Sequence, residues 1–322
     1  MRRPEKIVMA SPLTPEQIQQ VRSVAPWAEW SIFPQYTATT EALEDADIIL
    51  GNVPPEMLSC CRKLKWVQIC SAGTDGYMDT VPEGVLITNG SGAYGPAISE
   101  HVLAMLLLLK RDMLTYYRDT LAGRWEPLYT AETVEGSTAL ILGLGDLGGN
   151  VARRLKALGA YVIGLRRSNM SKPEYCDELY PVAELDRLLP RADEVIMCLP
   201  SNSETAHIMD ERRLFLMKEG SVLINVGRGT ALDQDGLIRA LECGRLRGAG
   251  LDVASPEPLP EDHPLWKAPN ILITPHVSGG WRIPSVVEKV RDILLRNLQA
   301  YIDERPLINV VDRGTGYRST DR

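Results

Sequence analysis

Of the four histidines in the chain, one stands apart in its surroundings. His276 closes the run Ile271-Leu272-Ile273-Thr274-Pro275 and is followed by Val277-Ser278-Gly279-Gly280, a small-residue passage through which a ligand can approach. His101, His207 and His263 sit in helix-like or polar loop contexts and read as structural or exposed. Two further residues occupy the same kind of position as His276, just past a buried strand. Arg228 follows the run that ends at Val226, and Glu257 lies in the loop after Asp252-Val253. An imidazole titrates in the range where a proton can be given and taken at neutral pH. A carboxylate beside the ring favours its charged form and fixes its orientation. A guanidinium fork binds a carboxylate through paired, charge-assisted hydrogen bonds. Together the three types fit reduction of a carbonyl that carries a neighbouring carboxylate, where negative charge grows on the ketone oxygen as hydride arrives. Taken singly, Arg228 between Gly227 and Gly229 reads equally as a loop brace, and Glu257 between Pro256 and Pro258 as an exposed loop acid.

Such a reaction needs a hydride source, and the chain offers a place for one. After the apolar run 138–142 comes Gly143-Leu144-Gly145-Asp146-Leu147-Gly148, then a helical pattern in Leu147, Val151, Leu155 and Leu158 with Gly159 at its C-terminal end. In this strand-turn-helix context the glycines allow a tight turn, close approach of a pyrophosphate and close helix packing, and the helix N-terminus presents free N–H groups. An NAD site places Asp or Glu at the end of the second strand. Here Tyr161-Val162-Ile163-Gly164-Leu165 runs into Arg166-Arg167-Ser168-Asn169, and the first acid is Glu174. Two guanidinium groups and a hydroxyl suit a 2′-phosphate, so NADP(H) is the expected cofactor, with NAD(H) as the lesser partner.

The elements that must position these residues are legible as an α/β pattern. Apolar runs at 7–10, 47–51, 66–69 and 85–88 read as buried strands of a first domain, with Thr14-Pro15-Glu16-Gln17 as a capped helix start. Runs at 138–142, 161–165, 194–199, 221–226, 248–253 and 271–274, separated by helical patterns, imply a doubly wound parallel sheet. The segment 285–302 has helical apolar spacing and is expected to return to the first domain, whereas the tail after Asn309 is expected to fray. A helix over 99–110 is apolar on every side through Val102 to Leu109 and is expected to be covered all round, by the other domain and by a second subunit. At 322 residues the chain exceeds what one core usually serves, which agrees with two domains.

Composition narrows the function classes. With 44% hydrophobic and 24% charged residues the chain is ordinary globular protein. A net charge of -7 argues against a nucleic-acid surface. The longest apolar run falls far short of the ~20 residues that span a bilayer, and the N-terminal stretch Lys6 to Ala10 is too short for a signal peptide. The six cysteines form no Cys-x-x-Cys pair, so neither a metal site nor a disulfide framework is expected, and a reducing, cytoplasmic location is.

Over nearly its whole length the chain resembles the D-isomer-specific 2-hydroxyacid dehydrogenase family. The resemblance is carried by Asn225-Val226-Gly227-Arg228-Gly229, by Gly250-Leu251-Asp252-Val253 followed by Glu257-Pro258-Leu259, and by Thr274-Pro275-His276. It implies that Arg228 binds substrate, Glu257 is the partner acid and His276 the proton donor. Asp252 and Val226 would lie near the nicotinamide, with Leu199, Pro200, Gly227, Arg228, His276 and Gly279 as further cofactor contacts. Ser71-Ala72-Gly73-Thr74-Asp75-Gly76 resembles the family's substrate loop, whose N–H groups around Ala72, Gly73 and Thr74 would hold the substrate carboxylate. Tyr94, Trp125, Trp281 and Arg282 are candidate pocket lining. The implied fold is two Rossmann-like or flavodoxin-like lobes with a cleft between them: a discontinuous substrate domain, 1–96 plus 284–322, and a dinucleotide-binding domain, 97–283. A homodimer through the 98–111 helix region is implied as well.

The expected activity is reduction of glyoxylate, hydroxypyruvate or a similar small 2-keto acid. Formate dehydrogenases resemble the chain less, having Gln where Glu257 stands. No extra regulatory domain follows the returning helix, so control of serine synthesis is not indicated. The alternatives are a phosphoglycerate dehydrogenase-like enzyme lacking that domain, and a dinucleotide-sensing, corepressor-like binding protein, against which the compact chain speaks.

Overall fold

A computed structural model describes residues 3–167 and 171–318. The chain divides into two compact units, one made of Met1–Tyr94 and Gly280–Arg322, the other of Gly95–Gly279.

The first unit opens with β1 (Lys6–Ala10), α1 (Pro15–Arg22), β2 (Glu29–Phe33), α2 (Thr40–Leu43), β3 (Ile48–Gly51), β4 (Trp66–Gln68) and β5 (Leu86–Thr88). The strands pair in parallel in the order β2-β1-β3-β4-β5, the arrangement of flavodoxin-like sheets. β1, β3 and β4 are apolar runs because a parallel sheet is covered on both faces. β2 is the edge strand, only partly buried, and its mixed sequence Glu-Trp-Ser-Ile-Phe contains no apolar run. Thr14 and Gln17 form the expected reciprocal cap of α1.

The second unit contains α3 (Gly95–Lys110), α4 (Met113–Leu121), β6 (Thr138–Leu142), α5 (Asp146–Ala157), β7 (Tyr161–Arg166), β8 (Glu178–Pro181), α6 (Leu185–Leu188), β9 (Glu194–Met197), α7 (Glu211–Leu216), β10 (Ser221–Asn225), α8 (Gln234–Glu242), β11 (Leu246–Leu251) and β12 (Ile271–Ile273). Its seven parallel strands run β12-β11-β10-β9-β6-β7-β8. The order reverses between β6 and β9, the switch point outside which ligands bind in such sheets. α3 buries Val102, Met105, Leu106 and Leu109 against Val151, Leu155 and the sheet residues Ile141 and Ile224. On its other side Ala104 and Leu107 are exposed in the single chain, because the helix packs on the sheet and α5 through one face.

The chain then rejoins the first unit through α9 (Pro284–Ile302) and ends in β13 (Val311–Asp312) and β14 (Tyr317–Arg318). Asn297 of α9 donates to Gln68 Oε1 at 2.6 Å and to Ile308 O at 3.0 Å, and Tyr301 stacks on Trp66 at 5.1 Å. Over its described residues, to 318, the tail after Asn309 is anchored where fraying was expected. β13 and β14 pair antiparallel, Val311 is buried, and the Arg313 fork donates to the carbonyls of Val81, Pro82 and Val85. Few apolar side chains take part, so apolar periodicity gave no sign of this anchoring.

One buried ion pair ties the second unit together. Lys110, at the end of α3, places Nζ 2.9 Å from Oε2 of Glu194 on β9, and Ser137 Oγ donates to Oε1 at 2.6 Å. Both charged residues are almost fully buried, and burial pushes the Glu194 carboxyl up against the opposing pull of Lys110 and Ser137. Lys110→Ala strands a buried carboxylate and is expected to destabilise the protein by about 3–5 kcal/mol, read by urea unfolding followed by circular dichroism. Replacing both partners with apolar residues of similar volume should restore most of that loss, and a single-variant cost near zero would show the pair to be dispensable.

Candidate active site

The expected cofactor residues gather along the carboxyl ends of β6, β7, β9, β10, β11 and β12. At the end of β6 the chain turns through Gly143 into α5, whose N-cap is Gly145. A Cβ at position 148 would fall 1.9 Å from the carbonyl oxygen of Gly143, so only glycine lets the helix sit this close to the turn. No side chain caps α5, and the first N–H groups of a helix need a partner. That arrangement fits a pyrophosphate. Asp146, expected to touch the cofactor, uses its carboxylate on Gly95 N at 3.1 Å and Asn150 Nδ2 at 3.2 Å; Leu147 follows on the same turn. Arg166, at the end of β7, donates to the Leu144 carbonyl through Nη2 at 2.7 Å and Nε at 3.2 Å, which brings its guanidinium to the glycine turn. Arg167 is half exposed and lies 3.5 Å from Glu204. Ser168 lies outside the described residues. Leu199 and Pro200 follow β9, while Val226 and Gly227 follow β10.

The proposed proton-transfer residues stand on the loops after three neighbouring parallel strands, β10, β11 and β12. His276 Nδ1 and Glu257 Oε2 are 2.7 Å apart. Because a carboxylate accepts, Nδ1 carries the hydrogen, and Nε2 is the ring nitrogen outside that bond. Glu257 is itself oriented, since its Oε1 accepts from Ala254 N at 3.0 Å. Arg228 enters through its loop. A Cβ on Gly229 would lie 1.9 Å from Ala254 O, so the Arg228 and Glu257 loops touch backbone to backbone. Gln234 joins them again, bonding Ser255 O at 2.7 Å and Ser255 N at 2.9 Å. Asn225 fixes the Arg228 turn by donating to Arg228 O and accepting from Gly227 N, and Arg228 Nη1 donates to Gly227 O at 2.8 Å.

His276 has a positive φ of 51°, a conformation that costs a non-glycine residue about 1–3 kcal/mol. What holds it is Asp252, whose buried carboxylate accepts from Thr274 Oγ1 at 2.6 Å, Val277 N at 3.0 Å, Ser278 N at 3.1 Å and Ser278 Oγ. The Asp252 carbonyl also accepts from His276 N at 2.8 Å. A hydroxyl has one proton to give. As Thr274 gives its own to Asp252, it accepts from His101 Nε2 at 3.0 Å. His101 is therefore a donor that braces the His276 turn, a part hidden from sequence reading because its partner lies 173 residues away. Gly279 closes this unit.

Ala72, Gly73, Thr74, Tyr94, Trp281 and Arg282 belong to the first unit. Ser71 Oγ donates to Gly73 O at 2.9 Å, and Asn89 Nδ2 to Ala72 O at 2.8 Å. Among the described residues no backbone hydrogen bond takes up the N–H of Ala72, Gly73 or Thr74. Tyr94 is buried, gives its hydroxyl proton to Cys70 O at 2.6 Å and meets Trp281 edge-on at 5.7 Å; burial drives its phenol well above the usual range. Arg282 is exposed. Trp125, read as pocket lining, stands 99% exposed on the second unit.

Residues 103–278 match the family model described as "D-isomer specific 2-hydroxyacid dehydrogenase, NAD binding domain". A glyoxylate reductase of Korarchaeum cryptofilum is 30% identical over 260 residues, 76% of this chain and 77% of its own. Among solved structures, a D-isomer specific 2-hydroxyacid dehydrogenase family protein from Aeromonas salmonicida is similar with a TM-score of 0.85 at 31% identity, over 96% of this chain and 99% of that one. An NADPH-dependent glyoxylate/hydroxypyruvate reductase from Sinorhizobium meliloti, solved with NADP and sulfate, gives 0.83 at 27% identity, over 97% and 100%. The open helix N-terminus at the sheet's switch point and the match across more than half the chain lead to one conclusion: this protein belongs to the D-isomer specific 2-hydroxyacid dehydrogenases, enzymes that use NAD(P).

Proposed function

We propose that the chain is an NADP-dependent reductase that converts a small 2-keto acid of the glyoxylate or hydroxypyruvate class to the D-2-hydroxy acid. The observation that carries this reading is the 2.7 Å bond between His276 Nδ1 and Glu257, on a loop joined to that of Arg228. The 143–148 glycine turn with Arg166 and Arg167 would hold the cofactor, which would supply hydride for C2 of the keto acid. His276 Nε2 gives a proton to the ketone oxygen, and Glu257 stabilises the ring charge before that transfer. Arg228 binds the substrate carboxylate and oxygen, and the N–H groups of Ala72, Gly73 and Thr74 donate to the carboxylate. Tyr94, Trp281 and Arg282 are assigned to the substrate side. The glycine turn with Asp146 and Leu147, together with Leu199, Pro200, Val226, Gly227, Asp252 and Gly279, is assigned to the cofactor. The domains take the same roles: 1–96 with 284–322 for substrate, 97–283 for dinucleotide.

The NADP preference is supported by Arg166 and Arg167 at the end of β7, where an acid would favour NAD, and by the Sinorhizobium meliloti relative solved with NADP. Ser168 is assigned to the same phosphate on its sequence position. A homodimer through the helix region 98–111 is supported by exposed Leu107 and by Met113, Tyr117 and Leu121 on α4, an apolar surface that costs free energy in water.

Purified protein mixed with NADPH and a panel of keto acids should oxidise the cofactor; no turnover on any member would refute the reading. His276→Ala should slow reduction by about 10²–10⁴. Because reduction takes up a proton, its rate should fall with rising pH while oxidation of the hydroxy acid rises, and flat profiles both ways would contradict the donor role. The pair Arg166→Ala and Arg167→Ala should weaken NADPH binding by about tenfold or more with NADH binding nearly unchanged, measured by fluorescence titration; equal losses would remove the phosphate role. Sedimentation should show a dimer that Leu107→Glu with Leu121→Glu turns into monomer, whereas a wild-type monomer would dismiss that interface.

A further inference from the structure

The end of the chain reaches the Ala72–Thr74 loop by two routes. Thr74 Oγ1 donates to Gly316 O at 2.6 Å, in the turn between β13 and β14. Asn309 Nδ2 donates to the carbonyls of Asn89 at 3.2 Å and Ser91 at 2.6 Å, and Asn89 N donates back to Asn309 O at 3.2 Å. Asn89 then holds Ala72 O with its own side chain at 2.8 Å. Between these routes Val310 bridges Thr88 antiparallel at the edge of β5, and Arg313 bonds three carbonyls of the 81–85 segment.

The consequence for the loop follows from peptide geometry. In a planar trans peptide the C=O and N–H point in opposite directions. The Ala72 carbonyl is fixed by Asn89, so the N–H of Gly73 points away from Asn89. The Gly73 carbonyl is fixed by Ser71 Oγ, so the N–H of Thr74 points away from Ser71, and Asn52 Nδ2 in turn holds that hydroxyl at 3.2 Å. The N–H groups are thus aimed by bonds made on the carbonyl side, and donors aimed in advance bind an anion without reorganisation.

We infer that the C-terminal hairpin is a strap that positions the Ala72–Thr74 loop for a substrate carboxylate, with Thr74 and Asn309 as positioning residues. The inference rests on the reading that this loop receives the carboxylate. Thr74→Val keeps the side-chain shape and removes the bond to Gly316, a chain ending at Arg313 removes the acceptor, and Thr74→Ser keeps the hydroxyl. The first two should raise the keto-acid KM about tenfold or more, with kcat, NADPH affinity and melting temperature much less affected, and Thr74→Ser should behave as wild type. Amide hydrogen exchange at Tyr77 and Gly90, whose N–H groups bond Thr74 O and Ser71 O, should quicken in the first two variants alone. Unchanged KM in both, a Thr74→Ser variant as impaired as Thr74→Val, or an equal loss of NADPH affinity would overturn the strap. Exchange reads the strap without turnover: a wild-type protein inactive on every keto acid refutes the enzyme reading, while unchanged exchange refutes the strap.

Discussion

Asp252 is a carboxylate almost wholly removed from water, and the second unit's chemistry hangs on how its charge is met. Four donors from Thr274, Val277 and Ser278 converge on it, all from the segment that surrounds His276. A buried charge left short of partners is costly, so the segment is drawn into one conformation, in which His276 accepts a left-handed backbone and its ring reaches Glu257. His101 extends the arrangement into α3 through the Thr274 hydroxyl. The strain at His276 and the charge of Asp252 offset one another; remove the second and the first has no support.

The same principle operates with neutral groups elsewhere. In the second unit the Arg228 loop is pressed onto Ala254 because Gly229 has no side chain, and Gln234 locks Ser255 from both sides. In the first unit Asn52, Asn89 and Asn309 bond the loops at the carboxyl edge of the five-stranded sheet. Amide side chains that both donate and accept suit this work, since each can fix one loop while being fixed by another. The sheets supply rigid strand ends, and polar side chains set the loops on them to within hydrogen-bond tolerance.

Arg166, the residue proposed to set cofactor choice, is held in place by the protein itself. Its guanidinium bonds the Leu144 carbonyl inside the glycine turn, so the group proposed to meet a 2′-phosphate is coupled to the turn proposed to meet the pyrophosphate. Arg167, paired with Glu204 on the surface, is less constrained. A neighbouring pair of identical residues is thereby divided into one anchored and one solvated cation, a distinction no sequence spacing contains.

Local patterns determined a good deal. The glycine turn between strand and helix, the capping box of α1, the apolar runs of β1, β3 and β4 and the helical spacing of α9 were readable because each depends on residues a few positions apart. The motifs around Arg228, Glu257 and His276 were readable as a resemblance to the family that the comparisons then showed. The edge strand β2, half in water, has too mixed a sequence to stand out, and the anchoring of the tail to residue 318 is not legible because carbonyl-to-guanidinium bonds leave no periodic trace. His101 on Thr274, Lys110 on Glu194 and Gly316 on Thr74 were decided only by the tertiary structure. Each joins residues far apart in the chain through a single polar contact, and sequence periodicity reports which face of an element is apolar, not which distant polar group the fold will bring against it.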